Sequence, residues 1–227
     1  MDFLKLCDGA HALSEEDAAP FLHRGLIESC EKGDRVSDWS AYRHIPHRYF
    51  PKMNFMITGK CNYNCIHCFN CADLSPLQSE WSYEDALSLL DQAQTAGIHA
   101  LTITGGEPML HPQFMELMRA VYDRSMYVEE LNTNGHFITE EVLDEMDAFG
   151  CRPLMKISFD GIGCHDWMRN RTGVEKITLD AIALCVKKGF SVMVQMQVNL
   201  KNLDTILPTA VKLNELGVKS LRLIRTT

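Results

Sequence analysis

From Met53 to Ile224 the sequence alternates short β-rich runs with longer segments of helical period, and this rhythm leaves few folds open. Met53–Thr58, Ala100–Thr104, Val128–Asn132, Met155–Phe159, Ser191–Val198 and Lys219–Ile224 read as strands. Ser82–Ala96, Pro112–Arg124, Thr139–Phe149, Val174–Lys188 and Leu203–Leu216 read as helices, several of them stopped by a glycine, as at Gly97, Gly150, Gly189 and Gly217. Strands that alternate with helices call for a parallel sheet with right-handed crossovers. A barrel and a doubly wound sheet both satisfy that pattern.

The placement of the unusual residues favours the barrel. A run of cysteines follows the first strand, Gly105-Gly106-Glu107-Pro108 the second and Thr133-Asn134-Gly135 the third. Ser158-Phe159-Asp160-Gly161 closes the fourth, Asn199 ends the fifth and Arg225 the sixth. In βα barrels the active site is assembled at the carboxyl ends of the strands. The expected fold is therefore α/β, a partial (β/α)6 TIM-like barrel over residues 51–227 with an N-terminal extension over residues 1–50. In the extension Ser14 is placed to cap a helix that Pro20 and Gly25 should interrupt, and Arg43–Pro51 reads as extended chain. The sixth strand has no helix after it, which should leave apolar surface on that flank.

Composition narrows the function. Of 227 residues, 46% are hydrophobic and 23% charged, so the chain is globular rather than disordered. A formal net charge of −8 argues against nucleic-acid partners, which demand a basic face. No apolar run reaches membrane-spanning length, and Met1–Lys5 lacks the features of an export signal, so a cytoplasmic protein without a membrane partner is expected. The nine cysteines are odd in number and read as reduced thiols rather than a disulfide framework. Cys7, Cys30, Cys151, Cys164 and Cys185 are scattered, as plain core cysteines are.

The remaining cysteines lie together: Cys61-Asn62-Tyr63-Asn64-Cys65-Ile66-His67-Cys68-Phe69-Asn70-Cys71. Thiolates at C-x3-C-x2-C can surround one soft-metal centre. Zinc is one reading, with Cys71 or His67 as fourth ligand, although no second C-x2-C hook follows. An iron–sulfur cluster with three cysteine ligands and one open iron is the other. Cys71 alone reads as an ordinary thiol.

These motifs in this order resemble the radical S-adenosylmethionine (SAM) superfamily, over roughly Met53 to the end of the chain. The sequence is similar to the subgroup that carries a cysteine-rich SPASM or twitch extension and modifies peptides; these 227 residues stop short of that extension. The resemblance implies that Cys61, Cys65 and Cys68 bind a [4Fe–4S] cluster whose fourth iron is chelated by SAM. It implies that Gly105, Gly106 and the Glu107 carboxylate accept hydrogen bonds from the methionyl ammonium. Ser158 would contact the ribose or carboxylate, Arg169 would pair with the carboxylate, and His67 would lie by the adenine. The implied reaction is reductive cleavage of SAM to a 5′-deoxyadenosyl radical that abstracts hydrogen from a substrate, with the chemistry carried by the cofactor. The implied partners are a peptide or protein substrate and an external electron donor of flavodoxin or ferredoxin type. A small-molecule enzyme of molybdenum-cofactor or haem type is the alternative, and a non-catalytic, metal-stabilised binding module is the alternative from another class.

Overall fold

The computed structural model describes residues 7, 13–31, 51–68, 70 and 79–225. The readings of residues 43–50 as extended chain and of Cys71 as an ordinary thiol lie outside the described residues. The chain divides into two compact units, Met1–Arg48 and Tyr49–Thr227.

In the first unit, helix α1 (Glu15–Leu22) starts where its cap predicts, with the Ser14 hydroxyl accepting the Asp17 N–H. It does not break at Pro20. A proline there removes the N–H that would reach the Glu16 carbonyl and crowds that carbonyl, yet the helix runs on to Leu22 before the chain turns at Gly25, φ +65°.

The second unit repeats one motif: β1 (Lys52–Thr58), α2 (Tyr83–Thr95), β2 (Ala100–Gly105), α3 (Phe114–Asp123), β3 (Tyr127–Thr133), α4 (Glu140–Ala148), β4 (Leu154–Ser158), a short α5 (His165–Arg169), α6 (Val174–Lys187), β5 (Val192–Val198), α7 (Ile206–Glu215) and β6 (Ser220–Arg225). The six strands form one sheet in the order β1-β2-β3-β4-β5-β6, with every neighbouring pair parallel. Strands laid down in sequence order have no point where the winding reverses, which excludes the doubly wound alternative. The sheet is the partial barrel, with β1 and β6 at its two rims.

The strands alternate as a curved sheet requires. Ile57, Leu101, Ile103, Leu131, Met155, Ile157 and Val194 are buried and pack with helix residues such as Leu90, Leu117, Leu143 and Ile182. At the intervening positions stand polar side chains. Low in the sheet, Glu130 accepts from Thr102 Oγ1 at 3.1 Å and pairs with Lys156 at 2.6 Å. Nearer the carboxyl ends, Thr104, Asn132, Ser158, Gln195 and Gln197 line a common cavity. Cys151 and Cys185 are buried in the core as expected, whereas Cys164 is half-buried and Cys30 exposed.

The last helix departs from the expected Leu203–Leu216. It opens with a separate 3-10 turn, Leu203–Thr205, because the buried Asn202 amide is held by the Asp160 and Gln197 carbonyls at 2.9 and 2.7 Å. Helix α5 was not anticipated; it is five residues long and ends at Asn170 in the left-handed conformation. Leu207 and Val211 of α7 and Leu223 of β6 are exposed.

Leu131 sits mid-sheet with no exposed surface. Leu131→Ala should cost about 2–5 kcal/mol of folding stability, read as a lowered denaturant midpoint at unchanged slope.

Candidate active site

A cavity of about 280 Å³ opens where the carboxyl ends of all six strands converge. The loop after β1 supplies Cys61, Cys65, His67 and Cys68. Gly105 and Gly106 come from β2, Asn132 from β3, Ser158 from β4, Gln195 and Gln197 from β5, Ile224 from β6 and Arg169 from α5. Eight of the nine residues singled out from sequence thus border one space; Glu107 does not.

The cysteine loop is held by its neighbours rather than by regular structure. The Asn134 amide donates to Asn62 Oδ1 at 2.8 Å, and Tyr63 Oη meets His136 Nδ1 at 3.0 Å. Arg171 donates to the Asn62 carbonyl at 2.7 Å with its guanidinium over the Tyr63 ring. The Ile66 N–H donates to the Met168 carbonyl at 3.1 Å. Burial pushes the Cys61 thiol up to about 11 and raises Cys65 as well, opposed in the latter by Arg169. Such thiols keep their protons at neutral pH until a metal displaces them.

The glycine pair is required by the protein's own main chain. A Cβ at Gly106 would lie 2.3 Å from the Lys60 carbonyl oxygen, and one at Gly105 would lie 2.5 Å from that of Thr58. The Gly106 N–H donates to Thr58 O and the Glu107 N–H to Lys60 O, both at 2.8 Å. The missing Cβ atoms let β2 approach the backbone of β1 and its loop this closely.

Glu107 lies behind the glycine pair. Its carboxylate is 0% exposed and turned away from the cavity. One oxygen accepts the Thr133 hydroxyl at 2.8 Å and the Met109 N–H at 3.2 Å; the other accepts the Asn134 N–H at 2.7 Å. Its two oxygens thus tie the turn after β2 to the β3 loop. Burial pushes its carboxyl up to about 7, against these three hydrogen bonds.

Arg169 does face the cavity. Its Nε lies 2.8 Å from the buried Asp160 carboxylate, and Nη1 is 3.6 Å from Cys65 Sγ. Asp160 is fixed in turn by the Gln197 N–H at 3.0 Å. His165 Nδ1 accepts the Asp160 N–H, so that nitrogen carries no proton, and burial keeps the ring neutral. No ion pair with Asp160 results, despite 3.8 Å between them. Nε2 meets the Thr178 hydroxyl, which reaches the Asn134 carbonyl.

The donor set suits an iron–sulfur cluster with an organic ligand. Three thiols of one loop edge one cavity, with a cation beside one of them. At the same cavity the Asn132 Oδ1 and His67 Nδ1 atoms are buried without a hydrogen-bond partner among the described residues, which leaves capacity for a ligand. Among the described residues no three His, Cys, Asp or Glu side chains close on a single ion. A cube takes one thiolate per iron and needs a wider set than a mononuclear zinc site.

Asn62, Tyr63, His136 and Thr178 were not foreseen as support for the site; the first two are unspecified positions of the cysteine motif. Gln195 and Gln197 were also missed, although their signal was present: two amides at alternate positions of an otherwise apolar strand face one side.

Residues 55–210 match the radical SAM superfamily model, well over half of the chain, and the protein belongs to that superfamily. The superfamily uses a [4Fe–4S] cluster with SAM. The chain is 31% identical to the AdoMet-dependent heme synthase of Methanosarcina barkeri over 163 residues, covering 71% of this chain and 46% of that protein. It is also 31% identical to the antilisterial bacteriocin subtilosin biosynthesis protein AlbA of Bacillus subtilis over 168 residues, covering 73% and 37%. Its fold is similar to that of Streptococcus suis SuiB bound to precursor peptide SuiA, with a TM-score of 0.67 at 12% identity, covering 94% of this chain and 52% of that one. The chain spans less than half the length of these two curated relatives. No helix among the described residues is long and apolar enough to cross a membrane.

The Glu107 carboxyl has a testable effect on stability. Below about pH 4.5 it is neutral whether the chain is folded or not. Between there and about 7 the folded chain keeps a proton that the unfolded chain releases, so stability falls as pH rises through this window. Urea unfolding at pH 5 and pH 8 should show wild type losing on the order of 2–4 kcal/mol more than Glu107→Gln across that interval.

Proposed function

We propose that this protein is a radical SAM enzyme acting on a peptide or protein, a maturase. The observation that carries the enzymatic reading is the convergence of Cys61, Cys65, Cys68, the glycine pair, Ser158 and Arg169 on one cavity. A bound cluster and SAM supply a reductively generated 5′-deoxyadenosyl radical for hydrogen abstraction. In this reading Cys61, Cys65 and Cys68 hold the cluster. The Gly105 and Gly106 backbone accepts from the ammonium of SAM, Arg169 pairs with its carboxylate, Ser158 bonds the ribose or carboxylate, and His67 lies by the adenine. The protein orients SAM, keeps the mouth of the barrel dry and holds the substrate against it. The reductant is an external flavodoxin or ferredoxin type of donor, and the enzyme works in the cytoplasm, where thiols stay reduced.

The peptide reading is supported by the similarity to AlbA over 73% of the chain. Equal identity to the heme synthase favours a second reading, modification of a tetrapyrrole.

Anaerobically reconstituted protein, given dithionite and SAM, should release 5′-deoxyadenosine, with Cys61→Ala, Cys65→Ala and Cys68→Ala each reducing the yield to background. One zinc per chain without sulfide would overturn the enzymatic reading in favour of a metal-stabilised binding module. A mass change in a short peptide encoded beside the gene would support the maturase; turnover of a porphyrin with the peptide unchanged would support the second reading.

A further inference from the structure

We propose that Glu107 is a positioning residue for the cysteine loop, bracketing Cys61 from both sides through Lys60 and Asn62. The inference rests on the reading of Cys61 as a cluster ligand. On one side the Glu107 N–H donates to the carbonyl of Lys60, the residue before Cys61, at 2.8 Å. On the other the Glu107 carboxylate takes the Asn134 N–H at 2.7 Å, and the Asn134 side chain donates to Asn62 Oδ1, the residue after Cys61, at 2.8 Å. Asn134 is gripped a third time, since its Oδ1 accepts the His136 N–H at 2.9 Å, and the His136 ring meets Tyr63 Oη.

The chemistry explains why a carboxylate stands there. Three donors, Thr133 Oγ1, Met109 N and Asn134 N, arrive at the two oxygens. The ionised carboxylate accepts all three; an amide would turn two hydrogens toward a donor. A carboxylate with no exposed surface is costly, and binding a ligand does not account for the cost, because the group does not border the cavity. Holding two loops in register does. With the carboxylate removed, the β3 loop loses its anchor, and Asn62 loses a partner whose direction the anchor had set.

The test uses the reconstituted holoenzyme, with wild type, Glu107→Ala, Asn134→Ala and the double variant. Three properties are read: iron and sulfide content, the rate of cluster loss to a chelator, and the EPR signal of the reduced cluster before and after SAM. Both single variants should lose cluster about tenfold faster than wild type, the scale of one broken buried hydrogen bond. The double variant should lose it no faster than the worse single, because both act along one path. Glu107→Gln, which keeps one acceptor oxygen, should fall between wild type and Glu107→Ala. Wild-type rates of loss in both single variants, or additive effects in the double, would overturn the proposal. An intact cluster in Glu107→Ala whose EPR signal no longer responds to SAM would also overturn it and return Glu107 to ammonium binding. Should Glu107→Ala not fold, Asn134→Ala, which leaves the carboxylate in place, decides the matter. Failure of the underlying reading is distinguishable, since wild type itself would then take up no four-iron cluster.

Discussion

The strict winding of the strands in sequence order is the constraint on which the rest of the molecule depends. Parallel strands joined by right-handed crossovers all point the same way. Their carboxyl ends therefore meet at one mouth, and residues more than one hundred positions apart, such as Cys65 and Arg169, come within contact distance. No local motif could do this. Strands β2 to β5 each contribute one or two polar side chains to the cavity, while their alternate residues remain in the apolar layer under the helices.

The loops that carry the chemistry have almost no regular structure, so their order comes from buried polar contacts. Two connected sets do this work. One runs from Glu107 through Asn134 to the cysteine loop; the other runs from Asp160 through His165 and Thr178 back to Asn134. Asn134 belongs to both. Buried charge is tolerated because each ion has partners: three donors for Glu107, and each other for Asp160 and Arg169. Such networks stabilise only when nearly complete, which makes single losses costly.

Much of this could be read from the residues in order. Helix starts were legible because Ser82 and Thr139 accept backbone N–H groups three positions on, a local interaction. Strand positions were legible from period-two burial. The cysteine, glycine and serine positions were legible because chemistry-bearing types stood directly after strands. What the residues in order did not show was tertiary. The aim of Glu107 depends on donors from another loop, twenty-six residues or more away in the case of Thr133 and Asn134. The 3-10 start of the last helix depends on Asn202 reaching Asp160. The course of α1 through Pro20 shows a propensity rule overridden, with one backbone bond missing inside the helix.

The space beside Gly105 and Gly106 is filled by carbonyl oxygens of Thr58, Gly59 and Lys60. Selection on that pair therefore acts through assembly of the polypeptide and not only through what it binds. A descendant that abandoned catalysis would be free to shed its thiols, yet any side chain at those two positions would still collide with its own backbone. In a diverging lineage the glycines should outlast the cysteines.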